Sequence, residues 1–287
     1  MSLVSPQVES GSLENKHDKA EVASATRLGQ ISFINALPIV LPLVRKHVRL
    51  DAEQVFANPA ELNLMLKSGE LQMGAMSSFY FLEDGGFDLF PDISISGSGK
   101  VGSVLLFSKF ALTELDGKTV SVPRSSATSI KWMQVLLLEE LGIKPNLVLA
   151  DEDSKTEELD ACLLIGDKAL EFDASGTTLQ KTDLAQWWHQ RYKLPFVFGV
   201  WGARKEWIAE NRKDFESIGE ALVAACKLGL SSQLAAVISE AQSRTSLSPD
   251  RLRSYFLEDL DYRMTMSHHE ALALFARLCR KYGLLRE

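Results

Sequence analysis

Hydroxyl and amide side chains gather at a few places along the chain, and nearly every such place lies at the end of a short apolar run. The first is Gly29-Gln30-Ile31-Ser32-Phe33-Ile34-Asn35-Ala36-Leu37-Pro38, with Asn35 in the turn after a strand that ends near Phe33. An amide there can donate and accept at once, and so can orient a substrate hydroxyl or carboxylate. Capping a helix that starts at Pro38 is the alternative use of the same residue. The second cluster is Met76-Ser77-Ser78-Phe79, and the third is Val101-Gly102-Ser103-Val104, where Gly102 lets a ligand approach the backbone and Ser103 offers a hydroxyl. In the fourth, Pro123-Arg124-Ser125-Ser126-Ala127-Thr128-Ser129, a strand gives way to a helix. Free N–H groups and the positive end of the helix dipole make such a turn an anion site, although a serine-rich N-cap has the same composition. The fifth, Leu164-Ile165-Gly166-Asp167-Lys168-Ala169-Leu170, carries Gly-Asp at a strand tip. Ligands of open α/β sheets bind at the carboxyl ends of strands, so these clusters predict a donor-rich cleft for a small oxygenated anion.

The elements that must hold these clusters are legible as alternating apolar runs and helix-period segments. Expected strands are 28–33, 48–56, 71–76, 92–96, 101–108, 118–122, 147–150, 161–165 and 195–201, many of them continuously apolar as in sheets covered on both faces. Asn58-Pro59-Ala60-Glu61 sets an N-cap, an N1 proline and an N3 glutamate ahead of Leu62, Met65 and Leu66, and Gly69 stops that helix. The segment 214–228 places Phe215, Ile218, Leu222 and Cys226 on one stripe. The result is an α/β chain with a helical C-terminal third and no Pro/Gly-rich linker, so a chain with two lobes must cross between them on strands. The expected division is a disordered extension at 1–26, a first lobe of 27–106 plus 201–287, and a second lobe of 107–200.

Other signals fail on context. Gly97-Ser98-Gly99-Lys100-Val101-Gly102 matches a dinucleotide-binding pattern, but a strand follows it where a helix is required. His268 and His269 are adjacent on a helix and point about 100° apart, so capping and solvent exposure are expected rather than a shared ion. No metal site, cofactor motif, nucleophile elbow or acid/base carboxylate pair is expected.

The 287 residues, at about 100–200 per domain, make one large or two modest domains. A formal charge of −7 argues against nucleic acid or an anionic membrane as the partner. Cys162, Cys226 and Cys279 are too widely spaced for a disulfide framework or zinc site and fit buried positions in a reducing compartment. The polar stretch 1–26 has no apolar core of a secretory signal, and the expected location is the cytoplasm.

Taken in order, Gly29…Asn35…Pro38, Pro59-Ala60-Glu61-Leu62-Asn63, Ser77-Ser78, Val101-Gly102-Ser103-Val104-Leu105-Leu106-Phe107-Ser108, Ser125-Ser126-Ala127-Thr128-Ser129, Ile165-Gly166-Asp167-x-Ala169-Leu170 and Leu194-Pro195-Phe196-Val197-Phe198 make a pattern. It resembles the chorismate dehydratase family of the futalosine route to menaquinone, from about residue 27 to the end. The resemblance implies a two-lobed type II periplasmic-binding-protein-like fold, each lobe a mainly parallel sheet flanked by helices, in a cytoplasmic enzyme without cofactor. It implies loss of water from chorismate to give 3-[(1-carboxyvinyl)oxy]benzoate, with Asn35 and Ser103 at the reacting centre. It further implies substrate contacts from Ser77, Ser78, Gly102, the loop Ser125, Ser126, Ala127, Thr128 and Ser129, and Asp167. Phe33 stands where that family often has tyrosine. Two alternatives share the fold: a carboxylate-binding module without catalysis, and the 1,4-dihydroxy-6-naphthoate synthase of the same route.

Overall fold

The computed structural model describes residues 26–150 and 160–286, so the extension expected at 1–26 lies, except for Thr26, outside the described residues. The chain begins with β1 (Arg27–Ile31), α1 (Leu37–Val44), β2 (Glu53–Ala57), α2 (Pro59–Ser68), β3 (Met73–Ser77), α3 (Ser78–Asp84) and β4 (Phe87–Gly97). It crosses to β5 (Val104–Ser108), β6 (Thr119–Pro123), α4 (Ala127–Leu136), β7 (Asn146–Ala150), β8 (Ala161–Ile165), α5 (Gly166–Ala174), β9 (Gln180–Asp183) and α6 (Leu184–Tyr192). It returns on β10 (Phe196–Arg204), and α7 (Lys205–Glu210), α8 (Arg212–Gly229), α9 (Leu234–Gln242), α10 (Pro249–Ser254) and α11 (Met266–Lys281) follow.

The ten strands form two sheets, ordered β2-β1-β3-β10-β4 and β7-β6-β8-β5-β9, each the centre of an α/β lobe. Within each, three successive strands run parallel, β1 with β2 and β3, and β6 with β7 and β8; α1 and α2 make the crossovers of the first sheet and α4 the crossover from β6 to β7. The antiparallel pairings belong to strands beside the chain crossings, β10 with β3 and β4, and β5 with β8 and β9. Parallel strands need a crossover of a dozen or more residues, whereas a strand arriving from the other lobe can join in either direction. Boundaries drawn at 106/107 and 200/201 fall inside β5, which belongs to the second sheet, and β10, which belongs to the first.

The helix ends follow local chemistry. Asn58 Oδ1 accepts from Glu61 N–H at 3.0 Å, and the Glu61 carboxylate accepts from Asn58 N–H at 3.1 Å. With Pro59 at N1 and Gly69 left-handed at φ 77°, α2 begins and ends where its sequence requires. The cap of α11 draws in a histidine. Thr265 is its N-cap, and His268 stands at N3 as the reciprocal partner, Nδ1 accepting from Thr265 N–H at 3.2 Å. His268 is only 2% exposed and its Nε2 meets Ser96 Oγ at 2.9 Å, so the solvent-facing histidine read from the sequence is in fact buried. Burial holds its pKa below the usual histidine value.

The apolar faces separate into cores. The first sheet is covered by α1, α2 and α8 through Leu28, Leu41, Leu66, Phe90, Phe215 and Leu222. One face of the second sheet carries Val104, Leu106 and Val120 under Trp132, Trp188, Phe196 and Phe275. Trp132 and Phe196 stack with centroids 3.4 Å apart, and Phe275 closes on Phe196 edge-on at 5.1 Å. All three cysteines are buried. Among the described residues no single helix is long and apolar enough to cross a membrane.

Candidate functional site

The carboxyl ends of β1, β3, β6 and β8 point into one cleft between the sheets. It encloses about 620 Å3, part of it open to solvent. Polar groups line it from both lobes: Asn35 after β1, Ser77 at the end of β3, Ser103 ahead of β5, and Ser126, Thr128 and Ser129 at the start of α4. Between them lie Ile31, Phe33, Met76, Ile95, Val104, Ile165, Phe198 and Leu260, an apolar wall suited to a ring. No Lys, Arg, Asp or Glu is among the lining residues. An anion held there must be met by hydroxyls, amides and helix N–H groups.

Each lining side chain has a distinct state. Asn35 lies in a 3-10 turn, Ile34–Ala36, and its side-chain oxygen is buried without a hydrogen-bond partner in the protein. A buried amide oxygen left unpaired costs about 1–3 kcal/mol, so this atom is poised for an incoming donor. Its backbone is gripped twice. The Asn35 carbonyl accepts from the Tyr262 hydroxyl at 2.9 Å, and the preceding N–H, that of Ile34, donates to both Asp167 oxygens at 3.2 and 3.3 Å. Ser103 is 4% exposed, and its carbonyl accepts from Gly166 N–H at 2.8 Å. Beside it the wholly buried Tyr255 hydroxyl makes no hydrogen bond of good geometry; burial pushes its pKa up and the Ser103 side chain opposes this.

The remaining hydroxyls are partly engaged. Ser126 caps α4 by accepting from Ser129 N–H at 3.2 Å, and Ser77 caps α3 by accepting from Tyr80 N–H at 3.2 Å while Asn63 Nδ2 donates to it at 3.0 Å. Thr128 Oγ1 accepts from Phe79 N–H at 3.0 Å, tying α4 to α3 across the lobes.

Of the residues expected at the site, Asn35, Ser77, Ser103, Ser126, Thr128 and Ser129 line the cleft, whereas Ser78, Gly102, Ser125, Ala127 and Asp167 are not among its lining residues. Ser78 is fully buried and donates to Val197 O at 2.7 Å. Gly102 takes φ +69°, where a side chain would also strike Arg251 at 2.6 Å, and its N–H donates to Asp183 Oδ2 at 2.7 Å. The Asp167 carboxylate is half-buried and held up at about 6, chiefly by burial and with help from Glu171, against the Ile34 N–H and Arg244, which lower it. Sequence reasoning passed over Tyr262, Leu260 and Asp183. The first two reach the site because Asp261 bridges Ser96 of β4 from 165 positions away, a pairing that leaves no local signal.

A cleft between two α/β lobes, entered by the carboxyl ends of parallel strands and joined by crossing strands, defines a periplasmic-binding-protein-like architecture. Solved structures share it. A protein from Archaeoglobus fulgidus superposes with TM-score 0.71 at 20% identity, covering 90% of this chain and 98% of that one. The alkanesulfonate-binding protein of Xanthomonas axonopodis pv. citri, bound to MOPS, does so with TM-score 0.67 at 14% identity over 91% and 94%. A Candida albicans protein described as having the generic periplasmic binding protein fold gives 0.65 at 10% identity over 92% of each. Within this architecture the chain belongs to the menaquinone biosynthesis family, whose model matches residues 26–281. It is also 34% identical to the chorismate dehydratase of Thermus thermophilus over 197 residues, which is 62% of this chain and 70% of that protein.

Proposed function

We propose that this chain is a chorismate dehydratase of menaquinone biosynthesis, releasing water from chorismate to form 3-[(1-carboxyvinyl)oxy]benzoate. The observation that carries the reading is a cleft lined by uncharged donors and acceptors around an apolar wall, in a chain of the menaquinone biosynthesis family. Chorismate has two carboxylates, a ring hydroxyl and a cyclohexadiene, so it asks for anion-accepting N–H and O–H groups beside a flat apolar surface. The first turn of α4, with Ser126, Thr128 and Ser129, is assigned one carboxylate. Asn35 and Ser103, from opposite lobes, are assigned the reacting edge of the ring.

In the reaction the ring C–O bond breaks and the neighbouring C–H proton leaves. The freed electron pair completes an aromatic ring, and hydroxide and proton depart as water. Aromatisation supplies the driving force, so the protein has mainly to bind, orient and exclude water. No carboxylate or imidazole lines the cleft, and the enolpyruvyl carboxylate of the substrate itself is assigned as the acceptor of the ring proton, which it passes to the departing hydroxide so that water leaves and the carboxylate is regenerated. The unpartnered Asn35 oxygen orients the hydroxyl of the bound substrate, and Ser103 donates to that oxygen as the C–O bond breaks. A cytoplasmic location belongs to the same reading and is supported by the three buried, unpaired cysteines.

Purified protein incubated with chorismate should abolish the diene absorbance and accumulate the substituted benzoate. Saturable binding with no product would instead make the chain a carboxylate-binding module.

A further inference from the structure

Asp167 is tied to the site from outside its lining. It opens α5 in the second lobe, and its carboxylate accepts a hydrogen bond from Ile34 N–H in the first lobe at 3.2 and 3.3 Å. Ile34 immediately precedes Asn35, whose carbonyl is fixed from the other side by Tyr262 at 2.9 Å. We infer that Asp167 is a positioning residue: by crossing from one lobe to the other it locks the turn that aims Asn35, so that the reacting geometry is complete only when the lobes meet. The inference rests on the dehydratase reading for its kinetic consequence, not for the contact itself.

Neighbouring contacts mark this as a seam between lobes. Gly166, at φ +58°, packs on the Phe33 ring so closely that a Cβ would stand 3.3 Å from it. Glu171, one turn along α5, accepts from Ser246 N–H at 2.9 Å and from its hydroxyl at 3.2 Å. Arg244 Nη1 donates to Ser32 O at 3.2 Å, beside the same turn. The charged or titratable groups around Asp167 are Glu171 on its own helix, Arg244 after α9 and Tyr255 after α10. Burial raises the carboxyl to about 6, still below neutral pH, where it remains mostly ionised and accepts as a charged group.

The geometry separates position from charge. The side-chain oxygen of asparagine can accept from Ile34 N–H as the carboxylate does, whereas alanine cannot. Asp167→Ala should lower kcat by roughly ten- to a hundredfold, the scale of a 1 Å misplacement, with KM moved far less. Asp167→Asn should recover kcat to within a few-fold of wild type.

In isotope-labelled protein the Ile34 amide proton should resonate downfield in wild type, move upfield in Asp167→Ala, and stay largely in place in Asp167→Asn. Should Asp167→Ala fail to fold, Tyr262→Phe tests the other grip on the same turn and should also lower kcat rather than raise KM. An Asp167→Asn enzyme as slow as Asp167→Ala, or an Asp167→Ala enzyme with wild-type kcat, overturns the inference. Wild-type protein that leaves chorismate untouched sinks the dehydratase reading instead, and an Ile34 amide indifferent to Asp167→Ala sinks the clamp whatever the activity.

Discussion

The turns that carry Asn35 and Ser103 are each held by a carboxylate, yet they are held in opposite ways. Asp183 accepts four backbone N–H groups: Val101 at 2.9 Å, Gly102 at 2.7 Å, and Ala185 and Gln186 at 3.0 Å each. It closes β9 and caps α6 in the second lobe, so the approach to Ser103 is fixed within that lobe. Asp167 takes one N–H, divided between two long bonds, and that N–H belongs to the other lobe. One arm of the proposed site is therefore anchored within its own lobe and the other from across the cleft. Anchoring within one lobe serves precision, because a group already in place loses no freedom on binding. A turn held from the opposite lobe would complete the proposed constellation only where the lobes meet, a place from which water is excluded.

The comparison can be broken by substitution. The largest effect should come from Asn35→Ala, which leaves the fold intact and lowers kcat by about 10²–10³-fold, some 3–4 kcal/mol of transition-state stabilisation. Product formation near the wild-type rate would remove Asn35 from the chemistry. Next is Asp183→Ala, which strands four N–H donors. At about 1–3 kcal/mol for an unsatisfied buried group, with relaxation and water recovering part, urea unfolding should register a loss of about 3 kcal/mol or more. An unchanged midpoint would show that this arm is not anchored by the carboxylate.

The smallest effect is on stability at the other arm. Asp167 titrates near 6 when folded, above the unfolded value of about 3.9, so the folded chain holds the extra proton between these limits. Stability from this group is therefore full at low pH and declines as pH rises through the window. Asparagine does not ionise. Asp167→Asn should thus gain a few degrees in melting temperature over wild type at pH 8, with less gain at pH 4.5. A difference independent of pH would contradict the burial assigned to that carboxyl.

How much of this was visible in the sequence follows the range of the interactions. The strand 161–165, the capping box at Asn58–Glu61 and the serine turn after β6 are local; the first two have the bounds expected of them, and at the third Ser126 caps α4. The strand Gln180–Asp183 went unread because it is a polar edge, two of its four residues exposed, with no apolar period to detect. The clustering of polar turns at strand ends identified which segments meet in the cleft. It could not say which hydroxyls face inward: Ser77 and Ser78 are adjacent, but only the former lines the site, a matter of one position at the start of α3. His268 was misjudged for a related reason. A histidine in a first helical turn is exposed unless something covers it, and what covers it is Ser96, far away on β4.

The last helix has a consequence for the order in which the molecule can be made. The amino half of α11 sets His268 and Leu272 against the first lobe, and its carboxyl half drives Phe275, Leu278 and Cys279 into the aromatic layer of the second. Trp132 and Trp188 leave the ribosome long before the residues that roof them. A nascent chain holds that layer open until α11 has emerged, and the side chains of that helix serve as the keystone that lets both halves set.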